Sequence, residues 1–168
     1  MFGIRLAVGV ARGVVGFFVL GSPFRTMYWV NTDFDSYSLR AGPPPVEVYL
    51  RLRVTSGLSA KTVEAAEAGL PNTWHGVTVL CGDEPVGMGR VIGDGGCFFQ
   101  IVDICVAPQH QGRGLGKKIM AELMCELERR APDGAYVSLI ADGDARFLYE
   151  KFGFRQTAPA SVGMYLTV

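Results

Sequence analysis

The chain has 168 residues, 49% of them hydrophobic and 19% charged, which allows one domain with a real core and excludes a disordered chain. Its 16 basic and 16 acidic side chains cancel, so it lacks the basic excess that general nucleic-acid binding needs, and any anion site must be local. Cys81, Cys97, Cys105 and Cys125 form no CxxC pair, and His75 and His110 stand at no metal-ligand spacing; the expectation is reduced structural cysteines, no metal and a cytoplasmic protein.

Residues 1–32 read as an N-terminal extension. They contain no acid before Asp33, only Arg5, Arg12 and Arg25, and an apolar run GVVGFFVLG. The run has the look of a signal peptide without a convincing cleavage site. As a membrane span it is weak, because Arg12 interrupts it and only Gly13 to Phe24 is uncharged, so no stable membrane insertion is expected. An extension of little structural consequence, with Met27 as an alternative start, and a targeting or membrane-associating leader both remain open.

From residue 33 the signals become those of a domain. YSLRA from Tyr37 alternates as a strand and stops at Gly42–Pro45. VEVYLRLRVTSG reads as a helix with Val46, Tyr49, Leu50 and Val54 on one face. Ser59 is placed to cap a second helix, SAKTVEAAEAGL, closed by Gly69 and Pro71. TWHGVTVL and PVGMGRVI are strands joined by a turn at Cys81–Glu84. After GDGG (93–96) the nearly unbroken apolar run CFFQIVDICV suits a central strand covered on both faces, with Cys97 and Cys105 as small hydrophobes.

QHQGRGLGKK (109–118) follows that strand. Glycines at every second position offer no packing surface, but they let backbone N–H groups face a guest. A Walker loop needs Gly at 111 and Ser or Thr after Lys117, and a dinucleotide fingerprint counted from Gly112 needs Gly at 117; both patterns fail. What remains is strand, Q-x-x-G-x-G at 111–116, then a helix whose entrance suits an anion such as a pyrophosphate, with Arg113 and Lys117 as countercharges. The alternative for the loop alone is a glycine-rich cap without a ligand. In the helix GKKIMAELMCELERR, Ile119, Met120, Leu123, Met124 and Leu127 share a face, opposite Glu122, Glu126 and Arg130 at ion-pair spacing. AYVSLIA, a short helix DGDARFLYEKFG and a closing strand VGMYLTV complete a β-α-α-β-β-β-α-β-α-β order, a mixed α/β domain over residues 33–168.

VDICVAP leading into QHQGRGLGKKIM, with ADGDARFLYEKFGF about 20 residues later, closely resembles the GNAT superfamily of acetyl-CoA-dependent N-acetyltransferases. The likeness covers roughly residues 36–168. It implies a GNAT-like N-acyltransferase fold, with a splayed central sheet flanked by helices and acetyl-CoA as co-substrate. It further implies that the backbone of Ile104 and Val106 pairs with the pantetheine amides. The N–H groups of Gln111, Gly112, Arg113, Gly114, Leu115, Gly116 and Lys117 would hold the pyrophosphate. Tyr149 matches the family's tyrosine and is the candidate for protonating the departing sulfur. Asp142 departs from the family's usual Asn, and capping of the next helix is its expected role.

Asp103, the acid of the central strand, is either a general base or a structural acceptor for loop N–H groups. Asp94 and His75 are weaker candidates, better read as a turn former and a strand-face residue. The acceptor pocket is expected from the first two helices and the loops around Trp74 and Phe98–Phe99. A small-molecule primary amine is the leading acceptor. A protein or peptide amine and a non-catalytic acyl-CoA-binding module are the alternatives, and a homodimer is possible.

Overall fold

A computed structural model describes residues 37–167, together with the strand backbones of three segments before them. Contacts divide the chain into two compact units, Met1–Ser38 and Leu39–Val168. In the first, β1 (Leu6–Ala11), β2 (Val14–Val19) and β3 (Met27–Asn31) form an antiparallel sheet in sequence order. Ala11 pairs with Val14 and Phe18 with Met27. The apolar runs in which the sequence reading placed no element thus carry a meander, rich in the Val and Phe that favour strands.

The second unit is a five-stranded mixed sheet. Its order is β4 (Tyr37–Ala41), β5 (His75–Cys81), β6 (Glu84–Gly93), β7 (Phe98–Val106) and β8 (Tyr136–Leu139). The β5–β6 hairpin turns at Gly82–Asp83 between the paired Cys81 and Glu84, and Gly82 takes the positive φ that such a turn requires. β6 and β7 are antiparallel, whereas β7 and β8 are parallel. Pairing with β8 runs from Phe98–Tyr136 to Ile101–Leu139. Beyond Ile101 that edge of β7 is uncovered, which is the expected splay.

Helix α3 (Leu115–Arg130) covers one face of the sheet with Leu115, Ile119, Met120, Leu123 and Leu127 buried. Met124 is only half-buried. Each fully buried aliphatic side chain contributes roughly 1.5–3 kcal/mol by leaving water. Gly89 makes the close approach possible: a Cβ there would lie 2.4 Å from Ile119 Cγ2. On the outer face Glu126 pairs with Arg129 at 2.7 Å and with Arg130 at 3.4 Å.

On the other side, α1 (Val46–Thr55) begins directly after Pro45 and buries Tyr49, Leu52 and Arg53. This differs from the apolar face expected from the sequence, since Val54 is 61% exposed while Arg53 is 5% exposed. α2 (Val63–Gly69) starts later than expected. Thr62, not Ser59, caps it, its hydroxyl accepting from the Ala65 N–H at 3.1 Å. Both residues can cap, and the apolar-periodic stretch begins only at Val63.

Two further expectations need correction. Cys105 is buried beside Leu52, and burial pushes its thiol up to about 11, whereas Cys97 is exposed at the start of β7. VGMYLTV also forms no strand within the described residues. Tyr165 is 91% exposed, and Val162–Met164 line a groove together with Tyr136, Ser138 and Leu139 of β8 without joining the sheet. Strand propensity without a ladder partner does not hold a strand in water.

Candidate active site

The site begins at an irregularity in β7. Met88 pairs with Cys105 and Arg90 with Val102, so Asp103 and Ile104 together oppose Gly89 as a bulge. Asp103 has φ +60°, a conformation uncommon for a side-chain-bearing residue. Contacts over-determine it. Its carboxylate accepts from Arg53 Nη1, from Arg90 Nε at 2.7 Å and from Tyr49 Oη at 3.2 Å. The side chains of Asp103, Arg53 and Arg90 are only 8%, 6% and 10% exposed.

The rest of the network locks the two arginines. Arg53 Nε and Nη2 donate to Ser59 O (2.8 Å) and Ser59 Oγ (3.2 Å), tying α1 to the loop before α2. Arg90 Nη1 donates to Thr73 Oγ1 at 2.9 Å. Burial, followed by the charge of Asp103, raises Tyr49 above the ordinary tyrosine value, so its hydroxyl stays a donor. Asp103 therefore serves as an acceptor for side chains of α1 and β6. Among the described residues no loop N–H reaches it. The sequence reading named neither arginine, and it placed Tyr49 only on the apolar face of the first helix. The available signal was an arginine inside an otherwise buried strand that also faces an acid.

At the end of β7, Ala107 N donates to Val86 O at 2.8 Å. By the two-residue alternation of an antiparallel ladder, the Gly87–Val106 pair is then the non-bonded one, and the amide groups of Val106 face away from β6. That is the side β8 has left. Gln111 Nε2 donates to Val106 O at 2.8 Å, and Gln111 N donates to Pro108 O at 3.2 Å. Gln111 thus fastens the loop to the strand, and its own N–H is spent inside the protein.

Gly112 and Gly114 have φ of +73° and +75°, which turns the loop into the entrance of α3. Gly114 occupies the N-cap position with no side chain to cap the helix, and the first helical bond runs from Lys118 N to Gly114 O. Among the described residues no acceptor takes the N–H groups of residues 112–117. A cleft of about 420 Å³ lies here, lined by Ile104, Val106, Gln111, Gly112, Gly114, Leu115, Gly116 and Tyr149. Ser56 Oγ, from the same wall, is buried beside the Cys105 thiol. Uncommitted N–H groups beside an uncovered strand edge suit an anion followed by an extended amide-bearing chain. Arg113 and Lys117 are exposed and lie outside the lining.

A second cavity of about 640 Å³ opens between α1, β6, β7 and the segment after β8. Tyr49, Arg53, Arg90 and Asp103 form one wall, while Lys61, Asp142 and Tyr149 also line it. It shares Ile104, Ala145 and Tyr149 with the cleft. Tyr149 ends α4 (Arg146–Tyr149), a four-residue helix between two 3₁₀ turns that closes at Gly153, φ +86°. Burial, followed by the charge of Asp142, raises the Tyr149 phenol above the ordinary tyrosine value. It holds its proton.

Other expectations resolve differently. Trp74 and Phe99 are packing residues, edge to face at 4.8 Å, with Arg130 over the indole, and they line neither compartment. Phe98 is exposed beside Tyr136. Asp142 occupies the N-cap position of the Gly143–Ala145 turn but makes no capping bond with its side chain. Asp94 is the expected turn former, accepting from Gly96 N and Phe98 N at 2.8 and 3.0 Å. His75 faces Glu122 of α3 at 3.8 Å, beyond hydrogen-bond range, and its Nε2 is buried without a partner. Among the described residues no cluster of metal-ligating side chains occurs, and no helix is long and apolar enough to cross a membrane.

Comparison with known proteins adds the following. The family model described as Acetyltransferase (GNAT) domain matches residues 73–156, half of the chain. The chain is 34% identical over 80 residues to the Arabidopsis thaliana GCN5-related N-acetyltransferase 2, chloroplastic, covering 48% of this chain and 30% of that protein. It is 32% identical over 56 residues to the [ribosomal protein bS18]-alanine N-acetyltransferase of Haemophilus influenzae, covering 33% and 38% respectively. The chain spans less than half the length of the curated relatives first matched, 30% to 45%. Among solved structures, a meticillin-resistant Staphylococcus aureus protein of unknown function, named a probable acetyltransferase, superposes with TM-score 0.75 at 48% identity. That match covers 79% of this chain and 99% of that one. The Escherichia coli ribosomal-protein-S18-alanine N-acetyltransferase shares the fold with TM-score 0.62 at 16% identity, covering 73% and 79%.

Proposed function

This chain belongs to the GNAT acetyltransferase family, and from that premise we propose that it moves an acetyl group from acetyl-CoA to the primary amine of a small molecule. One observation carries the reading: cleft and cavity meet at Ile104, Ala145 and Tyr149. When bound, acetyl-CoA supplies an activated acetyl thioester at that junction. The N–H groups of Gly112 to Lys117 and the positive end of α3 bind the pyrophosphate, with Arg113 and Lys117 as outer countercharges. The backbone of Ile104 and Val106 binds pantetheine amides along the uncovered edge of β7, and Gln111 positions that edge.

Tyr149 holds a proton at Oη for the leaving sulfur. Its raised pKa keeps the acid form present at every physiological pH. Asp103 has its oxygens committed to Arg53, Arg90 and Tyr49. In this reading it shapes the cavity wall, and water removes the ammonium proton of the acceptor.

Transfer to a protein α-amine is a second reading, favoured by the Haemophilus influenzae relative. Both are tested by CoA release from acetyl-CoA with small primary amines and with an alanine-initiated peptide. Turnover of small amines is the expected result. Turnover of the peptide alone shifts the assignment to the second reading. Turnover of neither overturns both.

A further inference from the structure

We propose that the acceptor carries a carboxylate as well as its amine, and that Arg90 binds this carboxylate inside the 640 Å³ cavity. The inference rests on the small-molecule reading above and narrows its substrate class. Its starting point is a charge imbalance in a buried place. Two guanidiniums, Arg53 and Arg90, share the single carboxylate of Asp103, and all three side chains are at least nine-tenths buried. Buried charges are normally paired, because desolvation of an unpaired one costs several kcal/mol. One positive charge is therefore in excess at this wall.

The two arginines are not equivalent. Arg53 has every nitrogen engaged: Nε donates to Ser59 O, Nη1 to Asp103 and Tyr49, and Nη2 to Ser59 Oγ. Arg90 gives Nε to Asp103 and Nη1 to Thr73, while its Nη2 makes no hydrogen bond among the described residues. Arg90 lines the cavity. A guanidinium held at two corners, with donors left over at the wall of a cavity, is preorganised for an anion. Nε on Asp103 fixes the fork, and the ring of Tyr49 lies 5.3 Å beneath it.

The rest of the lining agrees in sign and in polarity. Its charged side chains are Arg53, Lys61 and Arg90 against Asp103 and Asp142, a surplus of one positive charge, and Tyr49 and Tyr149 are neutral. The surplus sits at the wall formed with α1. Asp142 instead lines the cavity together with Tyr149, and its charge bears on that phenol. An acceptor with a carboxylate and an ammonium group matches both: the carboxylate at Arg90, the ammonium on the side of Asp142 and the junction with the cleft. No covalent step beyond acetyl transfer is required.

The test compares matched amines in the CoA-release assay with the full chain. One set is L-leucine, L-leucinamide and 3-methylbutylamine; the other is β-alanine, β-alaninamide and propylamine. The amide has the less basic amine, so a preference for the carboxylate cannot come from easier deprotonation. The expected result is a kcat/KM about 10- to 100-fold higher for the carboxylate in at least one set, the range for a hydrogen-bonded charge. Arg90→Gln should reduce that ratio to within about threefold. Equal or better turnover of the uncharged partners overturns the inference while acetyl transfer stands, and a preference that survives in folded Arg90→Gln overturns the assignment to Arg90.

If Arg90→Gln does not fold, the wild-type ratios decide. If no amine turns over, the small-molecule reading fails on its own terms. Calorimetric titration of N-acetyl-L-leucine against N-acetyl-L-leucinamide then decides the carboxylate site: binding of the acid alone supports it, and absence of such binding overturns it.

Discussion

Arg90 of β6 donates from Nε to Asp103 Oδ2 at 2.7 Å, across the point where β7 bulges. The bulge delivers the carboxylate to the same face as Arg53 of α1, so one acid joins a helix and two strands around the wall of a cavity.

Removing the charge of that acid should therefore act first on the fold. Asp103→Asn leaves two buried guanidiniums without a counter-ion, and breaking such a pair costs about 3–5 kcal/mol. A drop of this size in urea unfolding, with residual turnover in the fraction still folded, is expected. Full stability with turnover abolished would instead make Asp103 a general base.

Gly89 carries a second structural prediction. Its Cβ position is 2.4 Å from Ile119 Cγ2 and 3.2 Å from Leu123 Cδ1, both fully buried. Gly89→Ala should destabilise by about 1–3 kcal/mol through overpacking. The double variant Gly89→Ala with Ile119→Leu, which removes the clashing Cγ2 methyl at constant volume, should recover part of that loss, which chemical denaturation can measure.

The residues that carry this architecture were unequally legible in the sequence. The loop from Gln111 to Lys117 and the tyrosine at 149 were readable because their logic is local: glycines where backbone must be offered, a short helix at a fixed distance. The strands of the second unit followed from alternation and turns for the same reason. Arg53 was not readable, because counting apolar residues along α1 selects Val54 and rejects a charge. Only an acid 50 positions later makes an arginine a buried residue. The aromatic pair Trp74 and Phe99 failed the other way, since sequence alone does not distinguish a ring that lines a pocket from one that fills a core. The tail failed because strand pattern says nothing about whether an edge is within reach.

The anion cradle can be tested without disturbing the loop. Gly112 and Gly114 are poor targets, because their positive φ makes any side chain strained. Gly116 lies in the first turn of α3, and a Cβ there meets Leu148 Cδ2 at an ordinary 3.5 Å. An acid in a first turn favours the helix by roughly 0.3–1 kcal/mol, so Gly116→Asp should leave the free protein at least as stable. Acetyl-CoA should raise the melting temperature of the wild type by mass action, and this shift should be lost in the variant through repulsion of the pyrophosphate. An undiminished shift in Gly116→Asp would place the cofactor elsewhere.

Tyr149 and Asp142 make a pair whose pH behaviour has a definite sign. The phenol is raised above 10.0 first by burial and then by the Asp142 carboxylate, which disfavours a second negative charge nearby. An acid catalyst works in its protonated form, so kcat should hold through neutral pH and fall only on an alkaline limb above that value. Removing the Asp142 charge removes one of the two causes. Asp142→Asn should therefore move the alkaline limb of kcat to lower pH, while KM for an ammonium-bearing acceptor rises through loss of the facing charge.

Tyr149→Phe keeps the ring and its packing but has no proton to give. A thiol such as that of coenzyme A, with a pKa near ~8.5, is already a tolerable leaving group. The loss in kcat should accordingly sit at the lower end of the ~10²–10⁴-fold range for general acid catalysis, with the acetyl-CoA thermal shift unchanged and the alkaline limb gone. An alkaline limb that persists in Tyr149→Phe would assign the titration, and the proton, to another group. A lost thermal shift would make Tyr149 a binding residue of the cleft rather than the acid at its junction with the cavity.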